Sequence, residues 1–272
     1  MVILGGILLL IALISFLSYR NVKGKLGEIL HTETSRIADV QERAEAVAEA
    51  LGSGYSSDYT EIKGQMETDE ILTSALGKRK CVYYRATVTR EWEEEEWYKD
   101  DEGRERKRMR KGSDTLSSES QWVPFYVNDG SGRLLVDPEH ADIDLEESVN
   151  RFEPEQGVRF SGNRISLGSF NVQISGSMGG HRGRHTLGYR FQESIFTPGG
   201  NLYLLGMVAD RGGSLALVKP TEKGQRFIIS HKTEEELVAQ QETALKVTFW
   251  IAAVAGGLGT ILALVGLVTG NI

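Results

Sequence analysis

Residues 91–111 read EWEEEEWYKDDEGRERKRMRK, an acidic block that runs straight into a basic one. Asp100-Asp101-Glu102-Gly103 stands at the midpoint, with Gly103 where a tight turn needs a residue tolerant of positive φ. Folding the chain there sets the four glutamates of 93–96 opposite the bases of 106–110. Opposite charges across an antiparallel pair contribute about 0.2–1 kcal/mol each. The run therefore predicts a protruding, solvated hairpin. A nucleic-acid patch would leave its bases unneutralised. Trp92 and Trp97 are an odd number of residues apart, so they fall on opposite faces of the strand, one toward the domain and one toward solvent. Two readings of this arm stand side by side. One is a docking surface for a protein partner, with Trp92, Trp97, Arg106, Arg108 and Arg110 as contacts. The other is a charged excursion without a function.

Outward from the arm, short runs rich in Val, Ile, Tyr and Phe alternate with Gly, Asp-Gly and Pro-Gly punctuation. They predict strands at 59–66, 81–91, 122–128, 134–136, 158–161, 171–175, 187–195, 201–209, 215–219 and 227–229. Asp129-Gly130-Ser131-Gly132 and Pro198-Gly199-Gly200 are the strongest turns. The expected domain spans 55–230 and is mainly β, an antiparallel barrel or sandwich. Before it, Leu26, Leu30, Ile37, Val40, Ala44, Val47 and Leu51 recur at three- and four-residue steps, broken at Glu33. They predict one amphipathic helix over 25–51, ended by Gly52-Ser53-Gly54. It serves either as a stalk or as a short coiled coil that pairs two copies.

The two ends carry no charge. Residues 2–19 and 247–268 are apolar throughout and predict two transmembrane helices, with Trp250 at an interface. The first stretch lacks the basic leader and small-x-small site of a cleaved signal peptide. The expectation is an integral, two-pass protein with the lipid bilayer as its first partner. Arg20, Lys23, Lys25 and Lys246 flank the spans on the domain side, which places the domain in the cytoplasm by the positive-inside rule. Gly256, Gly257 and Gly259 each follow an alanine by four residues. Such spacing forms a groove for another helix, either Gly5 and Gly6 of the first span or a second copy of the chain.

Little in the chain points to catalysis. A formal net charge of −7 over 272 residues argues against a nucleic-acid partner. A single cysteine excludes a disulfide framework. His181 and His185 are four apart, but the surrounding glycines disfavour a helix and no third ligand is near, so no metal is expected. Arg182 and Arg184 between them are candidate contacts for lipid phosphate or an acidic partner, or belong to a plain surface loop. Cys81 lies in a strand and reads as a small core residue. There is no phosphate-binding Gly-Lys-Ser/Thr and no Gly-x-Ser-x-Gly elbow, so no catalytic residue or cofactor is expected.

Four segments carry a family resemblance. IKGQMETDEILTSALGKRKCVYYRATVTREW (62–92), VPFYVNDGSGRLLVDPEHADID (123–144), YRFQESIFTPGGNLYLLGMV (189–208) and RFIISHKTEEEL (226–237) resemble, in order, the successive motifs of the GIDE domain. Lys80 and Ala75 stand where the family commonly has proline, and Phe191 precedes Gln192-Glu193. The family is best known from a membrane-anchored mitochondrial ubiquitin ligase, with relatives in bacteria and archaea. In that ligase the domain lies between two spans, facing the intermembrane space, and a RING finger follows. The resemblance implies the sensing or substrate-binding half of such a ligase. One cysteine cannot fill the paired four-ligand zinc sites of a RING. The expected function is a membrane-anchored, non-enzymatic binding or scaffold protein. The other reading is an accessory of ubiquitin-like transfer, working with a separate catalytic protein.

Overall fold

The computed structural model describes residues 1–270 apart from 53, 101, 162–163, 168–169, 174–183 and 211–213. In chain order it forms α1 (Val2–His31), α2 (Ile37–Leu51), β1 (Ser57–Glu67), β2 (Leu72–Thr73), β3 (Lys80–Cys81), β4 (Tyr83–Lys99) and β5 (Glu105–Trp122). There follow β6 (Phe125–Asn128), β7 (Arg133–Val136), β8 (Asp142–Ile143), β9 (Glu146–Pro154), β10 (Arg159–Ser161), β11 (Arg164–Leu167) and β12 (Phe170–Gln173). β13 (Arg184–Phe196), β14 (Asn201–Asp210), β15 (Leu215–Val218), β16 (Ile228–Ser230) and α3 (Glu234–Thr269) complete it.

Strands β1, β6, β7, β15 and β14 follow one another edge to edge, and β14 pairs back onto β1, which closes a five-stranded barrel. Strict alternation fills it: Phe125, Val127, Leu134 and Val136 point inward with Ile62, Leu204 and Leu217. Each such side chain contributes about 1.5–3 kcal/mol by leaving water. Closure happens at Gly64, where β1 leaves β14 and turns onto β6. A Cβ there would sit 2.5 Å from the Asn128 carbonyl oxygen, so only glycine lets the two backbones meet. β16 and β8 extend the sheet on the far side of β14.

A second layer is the antiparallel sheet β5-β4-β13-β9. Its inner face holds Tyr84, Ala86, Val88, Leu116, Phe191 and Ile195 over the loop around Leu76. That loop is held by a buried carboxylate: Glu193 accepts N–H bonds from Leu76 at 2.5 Å and Gly77 at 2.9 Å. Cys81 is fully buried here, and burial, then the charge of Glu193, pushes its thiol up to about 11.

The single helix expected over 25–51 is not formed. Residues 25–31 continue α1, and the chain then extends through Thr32–Arg36, where Thr34 bridges to Glu61 of β1. α2 begins only at Ile37. Glu33 marks the break: its carbonyl accepts from the Glu61 N–H, which a continuous helix would forbid. Ile37, Val40 and Ala44 of α2 are buried, the first two in the barrel's core cluster. α1 and α3 are each long and apolar enough to cross a membrane.

Candidate functional site: the charged arm and the helix mount

β4 and β5 leave the sheet as one long two-stranded arm. Glu93 pairs with Lys111, Glu94 with Arg110, Glu96 with Arg108, Trp97 with Lys107 and Tyr98 with Arg106. At its tip Asp100 organises the turn, its Oδ1 accepting from the N–H groups of Glu102 and Arg104, with Gly103 at φ 77°. Ion pairs run across the arm, Lys107 to Glu95 and Arg108 to Glu96 at 2.8 Å each, Arg110 to Glu94 at 3.8 Å, and Arg106 to Asp100 at 2.8 Å. Being solvated, each is worth at most about 1 kcal/mol. They neutralise Arg106, Lys107, Arg108 and Arg110 in turn.

The two tryptophans separate as their spacing requires. Trp97 is 60% exposed, with the Lys107 ammonium 4.6 Å from its ring centre, and Met109 stands exposed nearby. Trp92 is 5% exposed. It lies over Gly112 of the facing strand, where a Cβ would come within 2.3 Å of the ring. The Arg184 guanidinium stacks on Trp92 at 3.8 Å and pairs with Glu94 at 3.1 Å and Asp114 at 3.6 Å. Arg90 donates to Asp114 at 2.5 Å, and this bond above all holds the Asp114 carboxyl below the usual range. Trp92 and Arg184 are thus the root of the arm. They fix β13 to it and are committed inside the fold.

Arg184 and His185 were expected in a loop, yet they open β13, opposite Glu94 and Glu93. The glycines around them pointed to a loop, but cross-strand pairing and the stacked guanidinium override that local preference. Arg182 lies outside the described residues. Among the described residues, no three His, Cys, Asp or Glu side chains converge as a metal site.

The mount packs on the barrel. α1 and α3 run antiparallel. Gly5 and Gly259 face each other so closely that a Cβ on Gly259 would lie 3.1 Å from the Gly5 carbonyl, and one on Gly5 would lie 2.7 Å from the Ala263 nitrogen. A Cβ on Gly256 would lie 3.6 Å from that of Ala12, whereas Gly257 and Gly6 face open space. Tyr19 and Phe249 meet where the pair approaches the domain, ring centres 6.2 Å apart. Ile29 of α1 and Leu237 of α3 then bury against Tyr203, Leu205 and Ile228 on the barrel's outer surface. Glu28 accepts from the Tyr59 hydroxyl at 2.7 Å and from the Arg226 N–H at 2.8 Å. Burial, helped by the Glu28 carboxylate, raises the Tyr59 phenol far above its ordinary value, so it stays a donor.

Lys63 ties β1 to α3, reaching Glu61 at 2.9 Å and Glu234 at 2.6 Å. Burial disfavours its charge, but the two carboxylates outweigh that and hold the ammonium above its usual range. Thr233 caps the start of α3 with a reciprocal capping box to Glu236. The stripes of residues 25–51 hint at the helix docking, but Glu28, Tyr59 and Arg226 carry no local signal: their meeting depends on barrel closure.

No curated protein and no solved structure matches the chain. A family described as GIDE, E3 ubiquitin ligase, matches residues 93–265. That range takes in the arm, β13, β14 and most of α3, and begins just after the first of the four motifs. Three of the four motifs lie inside it, in order. With the larger part of its length inside the match, the chain belongs to the GIDE family of E3 ubiquitin ligases.

Proposed function

We propose that this chain is a membrane-anchored partner-binding protein of ubiquitin-ligase type. α1 and α3 cross the bilayer as an antiparallel pair, the barrel sits on them at the cytoplasmic face, and the β4–β5 arm receives a protein partner. The observation that carries the reading is the arm itself. Its root is locked by Trp92 and Arg184, its charges are neutralised pairwise, and Trp97 and Met109 are left exposed at the outer part. Large exposed apolar groups on a rigid polar arm are the usual anchors of a small interface. Arg106, Arg108 and Arg110 supply its polar rim.

The test is site-specific photocrosslinking from position 109 in native membranes. The reading expects discrete protein adducts that disappear in Trp97→Ala. Adducts unchanged by that substitution would overturn it. Orientation is read separately by protease on sealed vesicles of known sidedness: digestion of the domain from the non-cytoplasmic side sinks the cytoplasmic placement.

The family match favours one class of partner, a component of ubiquitin-like transfer. In this reading the chain serves such transfer by holding a substrate or a separate catalytic protein. Adding the full chain to a conjugating enzyme and a separate RING protein should increase modification of a crosslinked partner. No increase with the arm intact excludes this accessory role.

A further inference from the structure

Where the four-stranded sheet meets the barrel there is a cleft of about 490 Å³. Tyr83 and Arg85 of β4 and Ser120 and Trp122 of β5 line one side. Glu139 and its neighbours after β7, with Lys219 after β15, line the other. Trp122 lies nearly parallel to Tyr83, ring centres 6.4 Å apart, and remains 37% exposed. Arg85 donates to the Tyr83 hydroxyl at 3.2 Å. Among the described residues neither Arg85 nor Lys219 has a carboxylate within ion-pair distance. The contrast with the arm is sharp, because there Arg106, Lys107, Arg108 and Arg110 are each spent on a carboxylate. The cleft's own acid, Glu139, is turned to His140, 3.5 Å away.

The cleft opens onto a strand edge. β5 pairs with β4 alone among the described residues, so alternate N–H and C=O groups of 117–122 face outward without a strand partner. Ser117, Ser118 and Ser120 are small, and Ser120 sits directly between Arg85 and that edge. A long guanidinium can therefore reach over it to a chain lying alongside.

We propose that this cleft binds an extended acidic segment of a partner protein. The segment adds as a strand to the free edge of β5, places a carboxylate between Arg85 and Lys219, and rests an apolar side chain on Trp122. Unpaired main-chain groups give such strand addition its affinity, and flanking side chains give it selectivity. A free phosphate would engage the cations alone and leave both the edge and the indole unused. This inference rests on the partner-binding reading and deepens it by naming a second contact and its chemistry.

The experiment uses the full chain in detergent micelles and a fluorescein-labelled decapeptide that alternates Asp with Val and ends in Phe. Anisotropy should show saturable binding. The Asn counterpart should bind about tenfold more weakly, as should the acidic peptide to Arg85→Gln or Lys219→Gln, because a charge-assisted contact is lost. N-methylation at alternate peptide nitrogens should abolish binding, and Trp97→Ala should leave it unchanged. Equal binding of the Asp and Asn peptides overturns the proposal. So does equal binding of the N-methylated peptide together with full competition by inorganic phosphate, which would mark a simple anion site. If Trp97→Ala removes the crosslinks from position 109 while Arg85→Gln and Lys219→Gln leave the peptide bound, the cleft fails and the docking arm stands. If no variant changes either readout, both fail.

Discussion

Replacing Asp129 with alanine should release α2 from the barrel. Its Oδ2 accepts from the Ile37 N–H at 2.8 Å, in the first turn of α2. Its Oδ1 accepts from the Ser131 N–H at 2.8 Å, the Ser131 hydroxyl at 2.7 Å and the Gly132 N–H at 3.1 Å, inside the β6–β7 turn. Ser131 Oγ in turn accepts from the Ala38 N–H at 3.1 Å. One carboxylate thus joins a helix start to a hairpin 92 residues away in sequence. Loss of a side-chain cap costs about 0.5–2 kcal/mol, and stranding part-buried donors adds about 1–3 kcal/mol. The sum, about 1.5–5 kcal/mol, should lower Tm by about 3–20 °C for a domain of this size if α2 unfolds with it.

Asp129→Asn keeps an acceptor and should cost about half. Burial raises the Asp129 pKa, but the donated bonds outweigh it and set the carboxyl below its ordinary value. A depressed folded-state pKa stabilises above the unfolded value near 3.9 and loses that stabilisation as pH falls through the folded value. The gap between the native chain and Asp129→Asn should therefore narrow below about pH 4. Thermal unfolding and hydrogen exchange over 37–51, on the full chain in micelles, read both effects. Native exchange rates in Asp129→Ala, or a gap that widens in acid, would refute the reasoning.

Trp92→Ala should cost about 3–5 kcal/mol and raise hydrogen exchange along the arm, whereas Trp97→Ala should leave stability within about 0.5 kcal/mol; denaturant midpoints separate the two. Gly259→Leu should drive apart the helix pair and abolish disulfide crosslinks between introduced cysteines at 12 and 256, while Gly257→Leu, facing open space, should retain them. Reversing the glutamates of 93–96 to lysine should raise exchange in the arm, and swapping the bases of 106–110 as well should restore it; equal exchange in all three chains would show that the arms do not pair. Cys81 should resist maleimide at pH 8 in the folded chain, because a buried thiol pushed to about 11 is almost wholly protonated, and react on unfolding.

Local signals carried much of the fold. The arm was legible because its turn, charge blocks and tryptophan spacing all agree within twenty-odd residues. The two apolar helices and the Asp129-Gly130-Ser131-Gly132 hairpin were legible for the same reason. β9 was missed: EESVNRFEP is exposed or half-exposed on both faces, as an edge strand can be, so it has no alternation to find. The stripe over 25–51 ran through a break because Glu33 and its neighbours hydrogen-bond to β1, a partner that periodicity does not see. The same limit hid the stacking of Arg184 on Trp92 and the meeting of Arg85 with Lys219 in the cleft. These arise where strands distant in sequence are brought side by side. Gly64 was visible as a glycine in a strand, but its purpose appears only with β6 beside it.

Barrel closure also sets a timetable. Ser57 pairs with Ala209 and Gln65 with Asn201, so the first barrel strand emerges from the ribosome long before its main partner exists. At synthesis rates of about 5–20 residues per second, the wait is roughly 7–30 s. The β4–β5 and β6–β7 hairpins can form within microseconds of emerging, so they assemble on a chain whose leading strand is still open. During that wait β1 is a bare template for pairing with any passing strand. Glu61 and Lys63, later drawn into the mount, are on hand in the nascent chain as gatekeeping charges against aggregation.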